Sequence, residues 1–277
     1  MKKFQISIND QNRTILKFLE KMLGDVPKSK IEKLFRNKDI KINGKRVKDK
    51  TIILNEGDEV TVYSVVSSFK GKKYVPVQRN FTVIYEDDNI LVVNKSNGVE
   101  THGPKGSLDD QILHYLKFKQ IDSFVPSSIG RLDKVTSGLI VYAKNYLTLR
   151  HLKNNQKAWD KVYLFKSDLD HDITTEFKIM HDENKKREVC GTEGKPTKTI
   201  FWIEKKRKYA KIITGRKHQI RSSLSKLGFP IWGDTKYGGK PAERVYLHSF
   251  SIKINGIKNK ELNYLEGMEF VSQPIWK

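Results

Sequence analysis

Apolar positions near the start of the chain recur at helical spacing. Ile15, Leu16, Leu19, Met22 and Leu23 fall on one side of a helix, with Asn12 or Thr14 as its cap and Gly24 as its stop. Pro27 and Ser29 open a second helix. It carries Ile31, Leu34 and Phe35 on one face and Lys28, Lys30, Lys33 and Arg36 on the other. The period then drops to two. Ile40-Lys41-Ile42-Asn43-Gly44-Lys45-Arg46-Val47 alternates around Asn-Gly, a strong hairpin signal. Gly57-Asp58-Glu59-Val60-Thr61-Val62 supplies a turn and a closing strand.

Residues 66–80 break periodicity through Ser67, Ser68, Gly71 and Pro76, and read as a linker. Beyond it, Val83–Glu86 and Ile90–Lys95 are apolar runs around Asp87-Asp88-Asn89, a second hairpin. Leu139–Ala143 is an apolar strand, and Lys161–Phe165 and Tyr209–Ile213 are two more. Thr214-Gly215 turns the chain into a helix over 218–227, with Ile220, Leu224 and Leu227 as its buried stripe and Gly228 as its end. Arg221 falls at the border of that stripe. Strands in hairpin-like succession with few helices between them predict an α+β fold with a large, mostly antiparallel sheet. The expected organisation is a small helix-helix-hairpin domain over 1–65, a linker over 66–80 and a main domain over 81–277.

Charge changes the picture more than length does. The chain has 277 residues and 37% hydrophobic content, enough for a core, with no apolar run long enough for a membrane span. Its 53 Lys and Arg against 32 Asp and Glu give a formal net charge of +21. That excess points to a polyanion, most simply nucleic acid. A membrane surface would call for a basic amphipathic helix or a lipidation signal, and neither occurs. Lysine excess can also reflect genome composition. The single cysteine, Cys190, excludes an intrachain disulfide and a cysteine-based zinc site, and no signal-peptide core follows Met1-Lys2-Lys3. The seven histidines are scattered, with no ligand pair at helical spacing, so no metal is expected. A cytoplasmic monomer is the expectation.

The candidate chemistry lies in Gly130-Arg131-Leu132-Asp133-Lys134-Val135-Thr136-Ser137-Gly138, which runs into the strand Leu139–Ala143. A cation and a carboxylate two residues apart are carried on a loop held by a rigid element, where catalytic groups tend to lie. No Gly-x-x-x-x-Gly-Lys loop and no dinucleotide fingerprint occur, so neither phosphate transfer nor redox chemistry is indicated.

Arg-Leu-Asp followed by Thr-Ser-Gly resembles the signature of the RluA-type pseudouridine synthases, which isomerise uridines in RNA. Tyr85-Glu86-Asp87-Asp88, Asn94-Lys95, Thr214-Gly215-Arg216-Lys217-His218-Gln219-Ile220-Arg221 and Gly228-Phe229-Pro230-Ile231-Trp232-Gly233-Asp234 match the family in chain order. The likeness covers nearly all of Phe81 to the C-terminus. It implies a mixed sheet with the site in a cleft across its middle. The reaction gains and loses no atoms, so no cofactor is expected. The resemblance makes Asp133 the catalytic carboxylate, acting by covalent addition or by taking a proton from the sugar. It makes Arg221 its ion-pair partner and Tyr163 the ring that stacks on the flipped base, with a hydroxyl able to help at carbon five. From spacing alone Arg221 reads as a surface phosphate contact or an ordinary salt bridge, and Tyr163 as simple packing. Arg131 is placed to fill the gap a flipped uridine leaves, or to make a second phosphate contact.

Residues 13–62 resemble the small RNA-binding domain first seen in ribosomal protein S-four. Lys30, Lys33, Arg36 and Lys45 are its expected phosphate contacts, as are Arg216, Lys217 and His218 in the main domain. Lys185-Lys186-Arg187 and Lys205-Lys206-Arg207-Lys208 would extend a basic track. That N-terminal resemblance favours ribosomal RNA of the large subunit as substrate. Transfer RNA and a non-catalytic RNA-binding or ribosome-assembly role are the alternatives. The chain departs from the family pattern at Gly130, where His is usual, at Ser96-Asn97-Gly98, where Pro-Ala-Gly is common, and at Lys217, where Thr is usual. Those departures bear on loop shape beside the site.

Overall fold

In the computed structural model, residues 1–24, 26–64, 74, 76–103 and 105–276 are described. Most of the expected linker therefore lies outside the described residues. The chain forms two compact units. One comprises Met1–Pro76 with Leu113–Pro126 and Asn145–Leu147. The other comprises Val77–Ile112, Ser127–Lys144 and Thr148–Lys277.

In the first unit, strand β1 (Lys2–Gln5) is followed by helices α1 (Ile15–Met22) and α2 (Lys28–Arg36). Strands β2 (Ile40–Ile42), β3 (Lys45–Arg46) and β4 (Glu59–Val62) complete an antiparallel sheet in the order β1-β4-β2-β3. Thr14 is the N-cap of α1, its hydroxyl accepting from the Lys17 amide at 3.4 Å. The helix ends at Met22 with Leu23 as its cap, one residue ahead of Gly24. Helical spacing puts Ile15, Phe18, Leu19 and Met22 of α1 inside, against Ile31, Leu34 and Phe35 of α2 and Ile40, Val60 and Val62 of the sheet. Asn43 and Gly44 have φ of +48° and +81°, the backbone a two-residue type I′ hairpin turn requires. The Asn43 amide donates to Asp58 and its oxygen accepts from the Glu59 amide, both at 2.8 Å, so the two turn motifs brace each other.

The second unit is built on strands β5 (Phe81–Glu86), β6 (Ile90–Lys95), β7 (Ser127–Ser128), β8 (Ser137–Ala143), β9 (Asp160–Phe165), β10 (Ile173–Asp182), β11 (Arg187–Gly191), β12 (Lys195–Glu204), β13 (Arg207–Ile212), β14 (Leu247–Lys253) and β15 (Glu269–Val271). They form one sheet in the order β11-β10-β12-β13-β9-β14-β8-β6-β5, with β15 on β14 and β7 on β8. Every pairing is antiparallel except β8 with β14. The expected large, mostly antiparallel sheet is thus present. Helices α3 (Leu108–Tyr115), α4 (Tyr146–Asn155) and α5 (Gln219–Lys226) complete the chain. Every residue of β8 is buried, as an uninterrupted apolar strand at the middle of a covered sheet should be. Within it Gly138 is at φ +113°, and a Cβ there would sit 2.4 Å from the Ser249 carbonyl oxygen of β14. Only glycine permits the parallel contact that joins the loop of residue 133 to the centre of the sheet.

The α5 face of the sheet is closed by Ile220 and Leu224 against Phe165, Phe201, Ala210 and Leu247. Arg221 is buried as deeply as these, at 4% exposure, and does not lie at the border of the stripe. A second carboxylate, described below, makes that burial tolerable.

Candidate active site

Asp133 lies on the loop between β7 and β8, and three devices fix that loop. The Thr101 hydroxyl donates to the Leu132 carbonyl at 2.8 Å and accepts from the Leu132 amide at 3.2 Å. The Thr136 amide closes a turn onto the Asp133 carbonyl at 3.0 Å. Segment 95–98 grips the far side. The Gly98 amide donates to the Lys134 carbonyl at 2.8 Å, and the Asn97 amide donates to the Val135 carbonyl. Asn97 stands at one of the departures from the family pattern, and its side chain adds a hydrogen bond to the backbone of the Asp133 loop.

Lys95 is fully buried. Its ammonium donates to the carbonyls of Ser96 at 2.9 Å and Val99 at 2.8 Å, with that of Lys134 at 3.5 Å. Burial brings this amine down to about 7, against the opposing pull of Asp133. The sequence offered Lys95 only as part of a motif; its place at the hub of the two loops comes from the fold.

Arg221 bridges two carboxylates. Its Nε and Nη2 donate to Asp234 at 2.7 and 2.9 Å, a fork-to-fork pair, and its Nη1 donates to Asp133 Oδ2 at 3.1 Å. Burial alone would lower the guanidinium's pKa. The Asp234 hydrogen bonds and charge, followed by the charge of Asp133, reverse this and raise it. Asp234 is buried at 1% exposure, so Arg221 is held rigidly by the carboxylate that is not offered to solvent. The Tyr237 ring lies under the guanidinium, 4.9 Å to its centre. The single contact to Asp133 leaves Oδ1 free of Arg221. The sequence offered Asp234 only as part of a family motif; its pairing with Arg221 comes from the fold.

Tyr163 is on β9, paired with Ala210 of β13 and Ser249 of β14, and faces the core that contains Ile220. Burial first, and then the charge of Asp133, push its phenol up to about 12, while a hydrogen bond from Ser249 works the other way. The ring is therefore neutral near neutral pH.

The expected RNA contacts separate into groups. Arg131 is exposed, two residues from Asp133. Arg216 is exposed, and Lys217 pairs with Glu188 at 3.1 Å. His218 sits at the carboxylate itself, Nε2 3.6 Å from Asp133 Oδ1 and Nδ1 2.8 Å from the Tyr237 hydroxyl. Of the Lys185-Lys186-Arg187 run, Arg187 is turned inward, donating to the Lys236 carbonyl with its guanidinium over Tyr237. In the first unit Lys30, Lys33, Arg36 and Lys45 are all exposed. His248 is buried at 2% exposure and is a structural residue. It is hydrogen-bonded to Ser137 and to the Ser272 carbonyl, both at 2.9 Å.

With this geometry established, relatives identify the chain. Residues 89–226 match the RNA pseudouridylate synthase family model. An uncharacterized RNA pseudouridine synthase of Mycoplasma capricolum is 36% identical across 100% of this chain and 99% of that protein. The chain belongs to the RNA pseudouridine synthase family. The matched stretch contains the Asp133 loop, Tyr163 and Arg221. Ribosomal large subunit pseudouridine synthase C of Vibrio cholerae is 30% identical over 85% of this chain and 83% of that protein. The counterpart of Escherichia coli is 29% identical over 90% and 86%. A solved human structure, RNA pseudouridylate synthase domain containing 1, shares the fold. Its TM-score is 0.58 at 22% identity, over 70% of this chain and 84% of that one. The synthase is an isomerase acting on RNA. Among its described residues no helix is long and apolar enough to cross a membrane.

Proposed function

We propose that this synthase converts uridines of large-subunit ribosomal RNA to pseudouridine, with Asp133 as the catalytic carboxylate. The observation that carries this reading is the asymmetric hold on Asp133, one oxygen on Arg221 and the other left free of it. A group that must add to a sugar carbon or take its proton needs a fixed orientation and one oxygen that is not tied into an ion pair. The doubly bonded Arg221–Asp234 pair provides the first, and single engagement of Asp133 provides the second.

Tyr163 stacks on the extruded uracil. A neutral phenol suits this, since a phenolate would repel the nearby carboxylate. Its hydroxyl takes the proton of carbon five as it passes its own proton to the Asp133 carboxylate, free again once the new bond has formed. Arg131, exposed and adjacent, occupies the space the base vacates. The RNA backbone is gripped by Arg216 and Lys217 and, in an S-four-like domain, by Lys30, Lys33, Arg36 and Lys45. The named relatives that act on the large ribosomal subunit favour that substrate.

The test is pseudouridine mapping in total RNA from a strain lacking the protein. Specific sites in large-subunit ribosomal RNA should lose the modification and regain it with the wild-type gene. Asp133→Asn should restore none, its rate falling at least about a thousand-fold while RNA binding is retained. Loss confined to transfer RNA would reassign the substrate. Restoration by Asp133→Asn would end the catalytic reading of that residue.

A further inference from the structure

We propose that His218, which the sequence marks as an RNA contact, is instead a positioning residue for the reaction: a neutral imidazole whose Nε2–H is aimed at Asp133 Oδ1. This rests on Asp133 being the catalytic carboxylate, and it adds a role for the oxygen that Arg221 leaves open.

The tautomer follows from a chain of donors. Among the described residues the Tyr237 hydroxyl has one hydrogen-bond partner, His218 Nδ1, and that is where its proton is given. Tyr237 is buried at 3% exposure, and burial raises its pKa well above the ordinary value, so the proton stays on. The atom 2.8 Å from its hydroxyl is His218 Nδ1. A ring nitrogen that accepts there leaves the hydrogen on the other nitrogen, Nε2. That nitrogen stands 3.6 Å from Oδ1, too long for a formed hydrogen bond and short enough to become one when substrate enters.

The charge state agrees. The groups facing His218 are Asp133 from its loop, Arg221 from α5, Lys217 preceding that helix, and Lys236 and Tyr237 from the turn Thr235–Tyr237. Glu188 of β11 is engaged by Lys217 and His181. Burial disfavours the imidazolium first. Asp133 opposes this, the three cations reinforce it, and the pKa falls below 6.5. That shift favours the neutral imidazole at neutral pH. Protonation would convert the contact into an ion pair that draws down the charge on Oδ1, whereas a neutral donor orients that oxygen and leaves it nucleophilic. The backbone of His218 is also in the left-handed region, φ +53°, which non-glycine residues seldom adopt. Its neighbours hold the ring there: the Tyr237 and His218 rings meet edge to face at 5.6 Å, and Tyr237 is pinned by Arg221 and Arg187.

Two measurements test this. In the free protein, nitrogen-15 NMR of the histidine rings should show His218 as the Nε2–H tautomer with a pKa below 6.5. An Nδ1–H tautomer or a higher pKa overturns the proposal whatever the activity. In single-turnover assays on a large-subunit ribosomal RNA transcript, His218→Ala should lower kcat about tenfold to a hundredfold with KM nearly unchanged. His218→Gln, an amide donor that does not titrate, should recover to within about tenfold of wild type and shift the acid limb of the pH profile to lower pH. A raised KM with kcat and the acid limb intact would make His218 an RNA contact and overturn the proposal. An inactive Asp133→Asn beside a fully active His218→Ala would sink this inference alone, whereas an active Asp133→Asn would sink the reading beneath it.

Discussion

Two groups of charges in this synthase are handled in opposite ways. Around Asp133 the charges are buried, interlocked and few: Arg221, Asp234 and Lys95 are each at or below 4% exposure and each meets a specific oxygen or donor. On α2 the cations Lys30, Lys33 and Arg36 are exposed, and among the described residues none forms an ion pair. Interlocked buried charge costs desolvation and returns fixed geometry. Unpaired exposed charge costs the fold little and attracts a polyanion at long range. The same residue types thus serve positioning in one region and affinity in the other. Variants in each should fail in different assays.

The largest difference should appear with Asp234→Asn. It leaves the buried guanidinium with Asp133 as its only carboxylate, and loss of a buried partner costs about 3–5 kcal/mol. Chemical denaturation should show that loss, and kcat should fall because the Arg221 fork is no longer braced. An unchanged midpoint would mean that Asp133 alone can hold the arginine.

His248 offers a pH test of the same region. Burial brings its pKa from 6.5 down to about 4, helped by Arg244 and opposed by the Ser272 carbonyl. Below pH 6.5 the unfolded chain binds a proton that the folded chain refuses until about pH 4. Stability therefore falls as pH drops through that window, by about 3 kcal/mol in all, and is flat with respect to this group above it. His248→Gln should flatten the slope in urea titrations between pH 4 and 6.5. A slope that survives the substitution would assign the acid sensitivity elsewhere.

The α2 cations should behave in the contrary way. Lys30→Gln, Lys33→Gln and Arg36→Gln together should leave the unfolding midpoint within about 0.5 kcal/mol. They should weaken RNA binding roughly tenfold to a hundredfold and reduce the slope of log affinity against log salt by about 2. An unchanged slope would remove this helix face from the RNA interface.

What could be read from the sequence follows the same division. The α2 face was legible because exposure needs no partner: helical spacing alone set Lys30, Lys33 and Arg36 opposite Ile31, Leu34 and Phe35. The Asn43-Gly44 turn was legible because its backbone demand is local. Arg221 was misplaced at a stripe border because its burial depends on Asp234, thirteen residues on, and sequence spacing does not say which carboxylate folds back. Strands β10 and β12 were passed over although Ile173, Thr175, Phe177 and Ile179 alternate with charged or hydroxyl residues. Threonine and lysine dilute the apolar signal of a strand exposed on one face. His218 was assigned by its basic neighbours. Its contact with Asp133 joins segments 85 positions apart and is created by the parallel β8–β14 pairing and the α5 packing.

The smallest effect tests how finely the Asp133 loop is held. Asn97 departs from the family pattern, and its amide donates to the Val135 carbonyl, two residues beyond the carboxylate. Asn97→Ala removes one hydrogen bond to backbone and should cost about 1 kcal/mol of stability. The Gly98–Lys134 bond and the Lys95 ammonium remain, so the loop should keep its fold and lose only stiffness. The expected outcome is a kcat several-fold lower with KM and RNA affinity unchanged, the reverse of the α2 substitutions. If kcat is untouched, orientation of Asp133 comes from Arg221 and Thr101 alone. If RNA affinity falls instead, the 96–99 segment touches RNA, and the separation of positioning from affinity fails at the site itself.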